Sequence, residues 1–355
     1  YYLKAIKLSP KQLSIFYNLS RFDRDFLNDD RISLIKNIID ENKIGYLEIS
    51  YGFFLLAEYE KKKKNFLKEI EYLKNAHEFL FNSNKDINLK TLDYWKKIIP
   101  NTYNKFIFEN KELQNELVEF EPIFIVGLPR SGSTVIEVLL SSGQSKIMSL
   151  GESSIFNGIL ANEYSSKKKI LIDLKFVKNQ ISKIFKERNY DIKNKNFIDK
   201  SLENFFYIDV IMKIFPKAKF INSIRNIEDN IFAIFTQSLN KIAWTHSLEN
   251  ILEYIENYFK IMDYFIKKYP EKILPINLEE LTNNSETTSK KIYSFCNLKW
   301  SKEILEFYSR KDLLISTASN IQIRENIKKY DHQKYKPYRK FLDKYKKKYN
   351  WLNKK

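Results

Sequence analysis

Residues 123–134 read Ile123-Phe124-Ile125-Val126-Gly127-Leu128-Pro129-Arg130-Ser131-Gly132-Ser133-Thr134. The first four are apolar and β-favouring, and Pro122 precedes them. A short apolar run without alternation is the pattern of a strand buried on both faces of a parallel sheet. A glycine-bearing loop follows, and residues 135–140 continue as an apolar run of helical character. Strand, glycine-bearing loop and helix together make a phosphate cradle. Loop N–H groups converge, and the helix N-terminus adds its positive dipole.

The same logic repeats downstream. Residues 197–198 precede a helix expected over about 204–215. Residues 219–224 follow Pro216 and precede a helix over about 228–239, and residues 273–277 follow a long helical stretch over 248–268. Strands alternating with helices predict an α/β domain, a P-loop-type three-layer arrangement around a parallel central sheet. Upstream, residues 1–115 read as all-helical. Leu47, Tyr51, Phe54, Leu55 and Tyr59 share one face of a first helix, and Phe66, Ile70, Leu73, Ala76 and Leu80 share one face of a second. The pair predicts a helical-hairpin repeat of about 34 residues. It resembles a degenerate tetratricopeptide (TPR) unit, and Lys4-Ala5-Ile6-Lys7-Leu8-Ser9-Pro10 resembles the end of an earlier one. A plain helical cap is the competing reading. The expected division is therefore a TPR-like helical region over 1–115 and an α/β domain over 116–355. The chain opens at Tyr1 without methionine, so a preceding segment is expected.

Composition narrows the class. The chain has 355 residues, 43% hydrophobic and 30% charged, as expected for a soluble globular protein. The formal charge of +17 admits nucleic acid, an anionic membrane or an acidic substrate, but abundant Lys, Asn and Ile also fit compositional bias. Residues 334–355 mix lysines with aromatics. Tyr338, Leu342, Tyr345, Tyr349 and Leu352 recur there at helical spacing, so a packed terminal helix is expected, with no nucleic-acid partner. The one cysteine, Cys296, excludes an intrachain disulfide and a Cys-based zinc site; it points to a buried thiol and a cytoplasmic setting. No apolar run reaches the roughly 18 residues of a membrane span, and no metal-ligand spacing appears.

The loop itself excludes a large class. Gly127 to Thr134 fits G-x-x-x-x-G-K-[ST] except at the lysine, where Ser133 stands. That lysine serves the β- and γ-phosphates of a nucleoside triphosphate, so its absence argues against a kinase or ATPase. At these residues the chain resembles the sulfotransferases that use 3′-phosphoadenosine 5′-phosphosulfate (PAPS). Pro129-Arg130-Ser131-Gly132-Ser133-Thr134 resembles their 5′-phosphosulfate loop. Phe215 to Asn226 resembles the strand whose terminal arginine, here Arg225, reads the donor's 3′-phosphate. Two positions depart from that pattern: Ile227 replaces a proline, and Ala233 stands where a serine is expected, with Thr236 or Ser238 as stand-ins. Leu150-Gly151-Glu152-Ser153-Ser154 resembles the G-E turn of tyrosylprotein sulfotransferases and their bacterial TPR-bearing relatives, in which the glutamate is the base. Asp199-Lys200-Ser201-Leu202-Glu203-Asn204 resembles the segment whose lysine contacts the transferring group. Thr317 to Arg324 resembles a segment that closes over the donor, with Ser319 and Arg324 as contacts.

The resemblance runs from about Glu121 to Leu342. It implies a sulfotransferase with PAPS as donor, adenosine 3′,5′-bisphosphate as product and no metal. Glu152, Arg130 and Lys200 would be catalytic; Arg130, Ser131, Gly132, Ser133, Thr134, Arg225, Ser319 and Arg324 would bind the donor. Classical cytosolic members use a histidine base; this chain has only His77, His246 and His332, of which His246 is a minor candidate. The acceptor, a hydroxyl or amine of a glycan, small molecule or peptide, is not legible, and the N-terminal helices are candidates for a protein partner. The rival readings are a P-loop nucleotide kinase or NTPase, and a TPR-type binding module carrying a degenerate enzyme domain.

Overall fold

The computed structural model describes the chain except for residues 24, 42, 110–118, 144–146, 165–169, 188, 190–195, 310–326 and 354–355. It divides into two compact units. The first comprises Tyr1–Trp95, Ile231–Tyr254 and Gln333–Lys355; the second comprises Lys96–Asn230 and Ile255–His332.

The second unit carries a parallel sheet. Its strands are β1 (Phe106–Glu109), β2 (Ile123–Gly127), β3 (Met148–Ser149), β4 (Ile170–Asp173), β5 (Phe197–Asp199), β6 (Lys219–Ile224) and β7 (Ile273–Asn277). Five form the main sheet in the order β3-β5-β2-β6-β7, with every pair parallel. β1 and β4 form a separate parallel pair, so the helical reading of the N-terminal region stops short of residues 106–109. The α/β class with a parallel sheet and flanking helices is as expected.

Alternation along the strands gives this sheet two chemically different faces. Ile123, Ile125, Ile198, Ile221 and Ile276 join Ile136, Leu139, Ile292 and Tyr293 of helices Ser133–Ser141 and Ser285–Phe295 in one aliphatic core. On the other face Phe124 packs against Phe156, Phe197, Phe215 and Phe220, with ring centroids 5.4–6.4 Å apart. Asn222, a polar side chain in the middle of β6, accepts a hydrogen bond from the Tyr258 hydroxyl at 2.7 Å. Cys296 is buried, and burial pushes its thiol up to about 12, which leaves it inert.

Gly127 ends β2 at φ 141°. A Cβ there would stand 2.5 Å from the Ser223 carbonyl oxygen, which is backbone and cannot give. Gly127→Ala is therefore expected to cost about 1–3 kcal/mol of stability. Calorimetry should show a lowered midpoint, whereas Gly158→Ala, inside helix Ile155–Tyr164 with nothing within 4 Å of its Cβ, should leave it unchanged or slightly raised. Equal midpoints would contradict the close approach.

The first unit is built from helices. Helices Leu13–Ser20, Asp29–Asp40 and Tyr46–Lys62 share a core of Leu13, Phe16, Ile32, Ile35, Leu55 and Tyr59. Helix Phe66–Asn82 folds back on Tyr46–Lys62: Tyr46 and Phe53 both reach Phe79. The chain's last segment lays Tyr338, Leu342, Tyr349 and Leu352 into this unit. It does so as 3-10 turns, Lys336–Tyr345 and Asn350–Asn353, and not as the expected α-helix. Lys336, Lys340, Lys344 and Lys348 stand four apart here, a spacing at which an α-helix would set like charges side by side at a small cost each.

Tyr338 donates to the Glu69 carboxylate at 2.7 Å, and Glu69 is only 2% exposed. Burial, the largest influence, raises its carboxyl from 4.5 to about 7. The folded chain thus keeps a proton that the unfolded chain releases. The stability this gives is complete below about 4.5 and is lost as pH rises through about 7. Denaturant midpoints should fall across that window, and Glu69→Gln should flatten the fall; an unchanged slope in the variant would assign it elsewhere.

Candidate active site

Because the five strands are parallel, their C-terminal ends lie along one edge, where open α/β sheets bind ligands. The loop after β2 is shaped by backbone as much as by side chains. Arg130 has φ 66° and Gly132 φ 101°. At the φ of Gly132 a side chain is strained, so glycine is the residue suited to open the helix N-terminus here. The Ser131 hydroxyl donates to the Leu128 carbonyl at 2.7 Å, and the Ser223 hydroxyl on β6 donates to the Ser131 carbonyl at 3.0 Å. Ser131 side-chain chemistry is therefore engaged within the loop, and its backbone N–H is the part suited to a ligand. Asn230 ties the loop down from the other side, donating to the Pro129 carbonyl at 2.8 Å. Ser133 and Thr134 open the helix and are both buried.

β3 and β5 bring a carboxylate and an ammonium together. The Lys200 N–H donates to the Gly151 carbonyl at 2.9 Å, which joins the two strand exits. Lys200 Nζ lies 2.7 Å from Glu152 Oε1 and 3.6 Å from Glu137 Oε2. The lysine side chain is 1% exposed and the Glu152 side chain 57%. A buried cation thus holds an open carboxylate at the sheet edge. Asp199, fully buried, accepts from the Ser201 N–H at 2.8 Å, from Asn204 at 3.1 Å and from the Ser153 hydroxyl. These bonds fix the turns that carry Glu152 and Lys200. Ser154 donates to Glu203 at 2.7 Å, and burial raises the Glu203 carboxyl.

Arg225 follows β6. Its Nε donates to the Tyr330 hydroxyl at 2.8 Å, and one terminal nitrogen donates to the Arg130 carbonyl at 3.1 Å. The Tyr330 hydroxyl in turn donates to Asp229 at 2.7 Å. The arginine is aimed by this relay and linked to the loop after β2 through the Arg130 backbone.

Arg130, Ser131, Gly132, Ser133, Thr134, Glu152, Lys200 and Arg225 all belong to the sheet-bearing unit. Ser319 and Arg324 lie outside the described residues. His246 belongs to the helical unit, where its Nδ1 faces Nδ1 of His77. Thr236 donates to the Phe232 carbonyl, and Ala233 is buried in helix Ile227–Phe235. Sequence reasoning passed over Glu137, Asp199, Asp229, Asn230 and Tyr330. Glu137 was findable, being one charge inside the apolar run Val135-Ile136-Glu137-Val138-Leu139-Leu140. Among the described residues no cluster of His, Cys, Asp and Glu could hold a metal ion, and no helix is long and apolar enough to cross a membrane.

Comparison with known proteins adds a family. An uncharacterised protein of Aquifex aeolicus is 25% identical over 334 residues; the match covers 88% of this chain and 43% of that protein, so the chain spans less than half of this relative's length. Among solved structures, the sulfotransferase domain of the Synechococcus PCC 7002 olefin synthase aligns at TM-score 0.40 and 16% identity, covering 62% of this chain and 88% of that one. A Mycobacterium tuberculosis sulfotransferase aligns at TM-score 0.35 and 11% identity, covering 79% and 92%. The profile of the sulfotransferase family matches residues 122–302. That match takes in just over half of the chain, including the loop after β2, Glu152, Lys200 and Arg225, and on that ground the chain belongs to the sulfotransferase family.

Proposed function

We propose that this protein transfers a sulfuryl group from PAPS to a hydroxyl or amine, and that the sheet-bearing unit carries the chemistry. The observation that carries this reading is the buried Lys200 holding the open carboxylate of Glu152 at 2.7 Å, on the same sheet edge as a phosphate loop with no Walker lysine. The residues present fit such a donor. Left-handed backbone at Arg130 and Gly132 suits a loop of converging N–H groups around one phosphate, and Arg225 supplies a planar fork for a second one.

PAPS supplies the sulfuryl group. Glu152 takes the proton of the acceptor as the acceptor oxygen or nitrogen bonds to sulfur. The bond from sulfur to the 5′-phosphate oxygen breaks, and adenosine 3′,5′-bisphosphate leaves. Lys200, Arg130 and the loop N–H groups of residues 131–134 stabilise the charge that collects on the departing phosphate. Glu137 and the Gly151 carbonyl hold Lys200 in place for that task. Arg225, aimed by Tyr330, takes the 3′-phosphate and so favours PAPS over ATP.

Thermal-shift titration tests the donor. Adenosine 3′,5′-bisphosphate at about 100 times its Kd should stabilise the fold by about 2.7 kcal/mol, while ATP with magnesium gives little. Stabilisation by ATP–magnesium alone would turn the assignment to an NTPase.

A further inference from the structure

The Lys200 side chain is 1% exposed, and among the described residues its ammonium meets one hydrogen-bond acceptor, Glu152 Oε1 at 2.7 Å. Glu137, on helix Ser133–Ser141, is buried as well. Its Oε2 stands 3.6 Å from Lys200 Nζ, which makes an ion pair but not a hydrogen bond. That oxygen has no hydrogen-bond partner among the described residues. An ammonium with N–H groups to spare thus stands beside a buried acceptor with no donor. The gap exceeds a charge-assisted hydrogen bond by less than about 1 Å.

The carboxylate is the fixed side of that gap. Glu137 Oε1 accepts from the Ser149 hydroxyl at 2.5 Å, and the Ser149 oxygen accepts from the Gly151 N–H at 3.0 Å. Lys200 is held at its backbone by the Gly151 carbonyl, but its ammonium ends a flexible four-carbon stem. What keeps it from Glu137 is the competing charge of Glu152. Counting charge shows when that competition ends. With both carboxylates ionised, Glu137, Lys200 and Glu152 together carry one negative charge. In the transfer step the acceptor's O–H or N–H bond breaks and its proton passes to Glu152. The three side chains are then neutral as a group, and Lys200 has one anionic partner left, Glu137. Without Glu137 the same proton would leave a buried cation with no counter-ion, which opposes its arrival.

We propose that Lys200 has two seats, and that it passes from Glu152 Oε1 to Glu137 Oε2 as Glu152 takes the acceptor's proton. Glu137, and Ser149 that holds it, are thereby positioning residues of the transfer. Lys200 keeps all of its own protons, and a seat on Glu137 leaves it further N–H groups for the departing phosphate. The inference rests on Glu152 being the base.

Glu152→Gln imitates the protonated glutamate, being uncharged and of the same shape. A crystal structure of that variant of the full chain should show Lys200 Nζ about 2.8 Å from Glu137 Oε2. Urea unfolding gives a second reading. Glu137→Gln should cost more stability in the Glu152→Gln background than in the native one, because there it removes the last counter-ion of Lys200. A double variant that fails to fold where both single variants fold is the extreme of the same result. The third reading is single-turnover consumption of radiolabelled PAPS, with tyramine, 2-naphthol and solvent water as acceptors. Glu137→Gln should slow it by about 10- to 100-fold, the reach of one charge a few ångströms away, with affinity for adenosine 3′,5′-bisphosphate unchanged. Glu137→Asp, shorter but still charged, should keep more of the rate than Glu137→Gln, the reverse of what a space-filling role gives. The second seat is overturned if Lys200 stays 3.6 Å from Glu137 in Glu152→Gln, if the stability losses are equal in the two backgrounds, or if Glu137→Gln keeps the native rate. A native rate in Glu152→Gln overturns instead the base assignment on which the proposal stands.

Discussion

Glu152→Gln is expected to lower sulfuryl-transfer turnover by about 10²–10⁴, the usual worth of a positioned general base, while adenosine 3′,5′-bisphosphate binds about as before. The reason lies in how the side chain is held. Its carboxylate is more than half exposed, so an acceptor can reach it, yet Oε1 is anchored 2.7 Å from Lys200 Nζ. Glutamine keeps the shape and one oxygen for Lys200 but cannot take a proton. The donor's contacts, by contrast, are assigned to the loop and Arg225. Single-turnover rates with radiolabelled PAPS, set beside product affinity by calorimetry, separate the two effects. A variant that turns over normally places the base elsewhere, and one that loses product affinity makes Glu152 a donor contact.

Lys200→Met should be damaging in two separable ways. Glu137 is 7% exposed, and its Oε2 faces Lys200 at 3.6 Å. Removing the lysine leaves a buried carboxylate without its cation, a loss of about 3–5 kcal/mol for a broken buried pair. Transfer should also slow by about 10²–10³, as for one lost charge-stabilising donor. Adding Glu137→Leu to Lys200→Met should recover most of the stability, since the orphaned charge is gone, but none of the rate. Recovery of both would make the lysine a structural post; recovery of neither would mean that Glu137 matters beyond its pairing.

The sheet was readable because its strands are continuous apolar runs between punctuating residues. Pro122 and Gly127 bound β2, and Pro216 sets off β6. The two-residue β3 was not readable, since Met148–Ser149 has no apolar run and exists only because β5 pairs with it. Site residues that follow a strand end, namely Arg130, Lys200 and Arg225, stood out for the same reason as the strands. Their partners did not. Glu137 meets Lys200 only because the helix that follows β2 comes beside the exit of β5, a neighbour of β2 in the sheet, and Tyr330 meets Arg225 across a hundred-odd residues of chain. Local periodicity carries no information about such encounters. The C-terminal segment shows the converse: its apolar spacing named Tyr338, Leu342, Tyr349 and Leu352, which are buried, but not the 3-10 winding that places them.

The place of β2 at the centre of the sheet also bears on how the protein is made. Ile123 pairs with Ile198 on one side and with Lys219 on the other. Both partners leave the ribosome well after the loop that β2 presents. Such non-local pairing is slow, because chain closure must precede any gain from contact. A nascent chain that has emerged only past residue 134 holds the whole loop sequence but no neighbouring strand to brace it. The shape of the loop after β2 is therefore a late product of synthesis, and the apolar run at 123–126 is the segment that most needs shielding until β6 arrives.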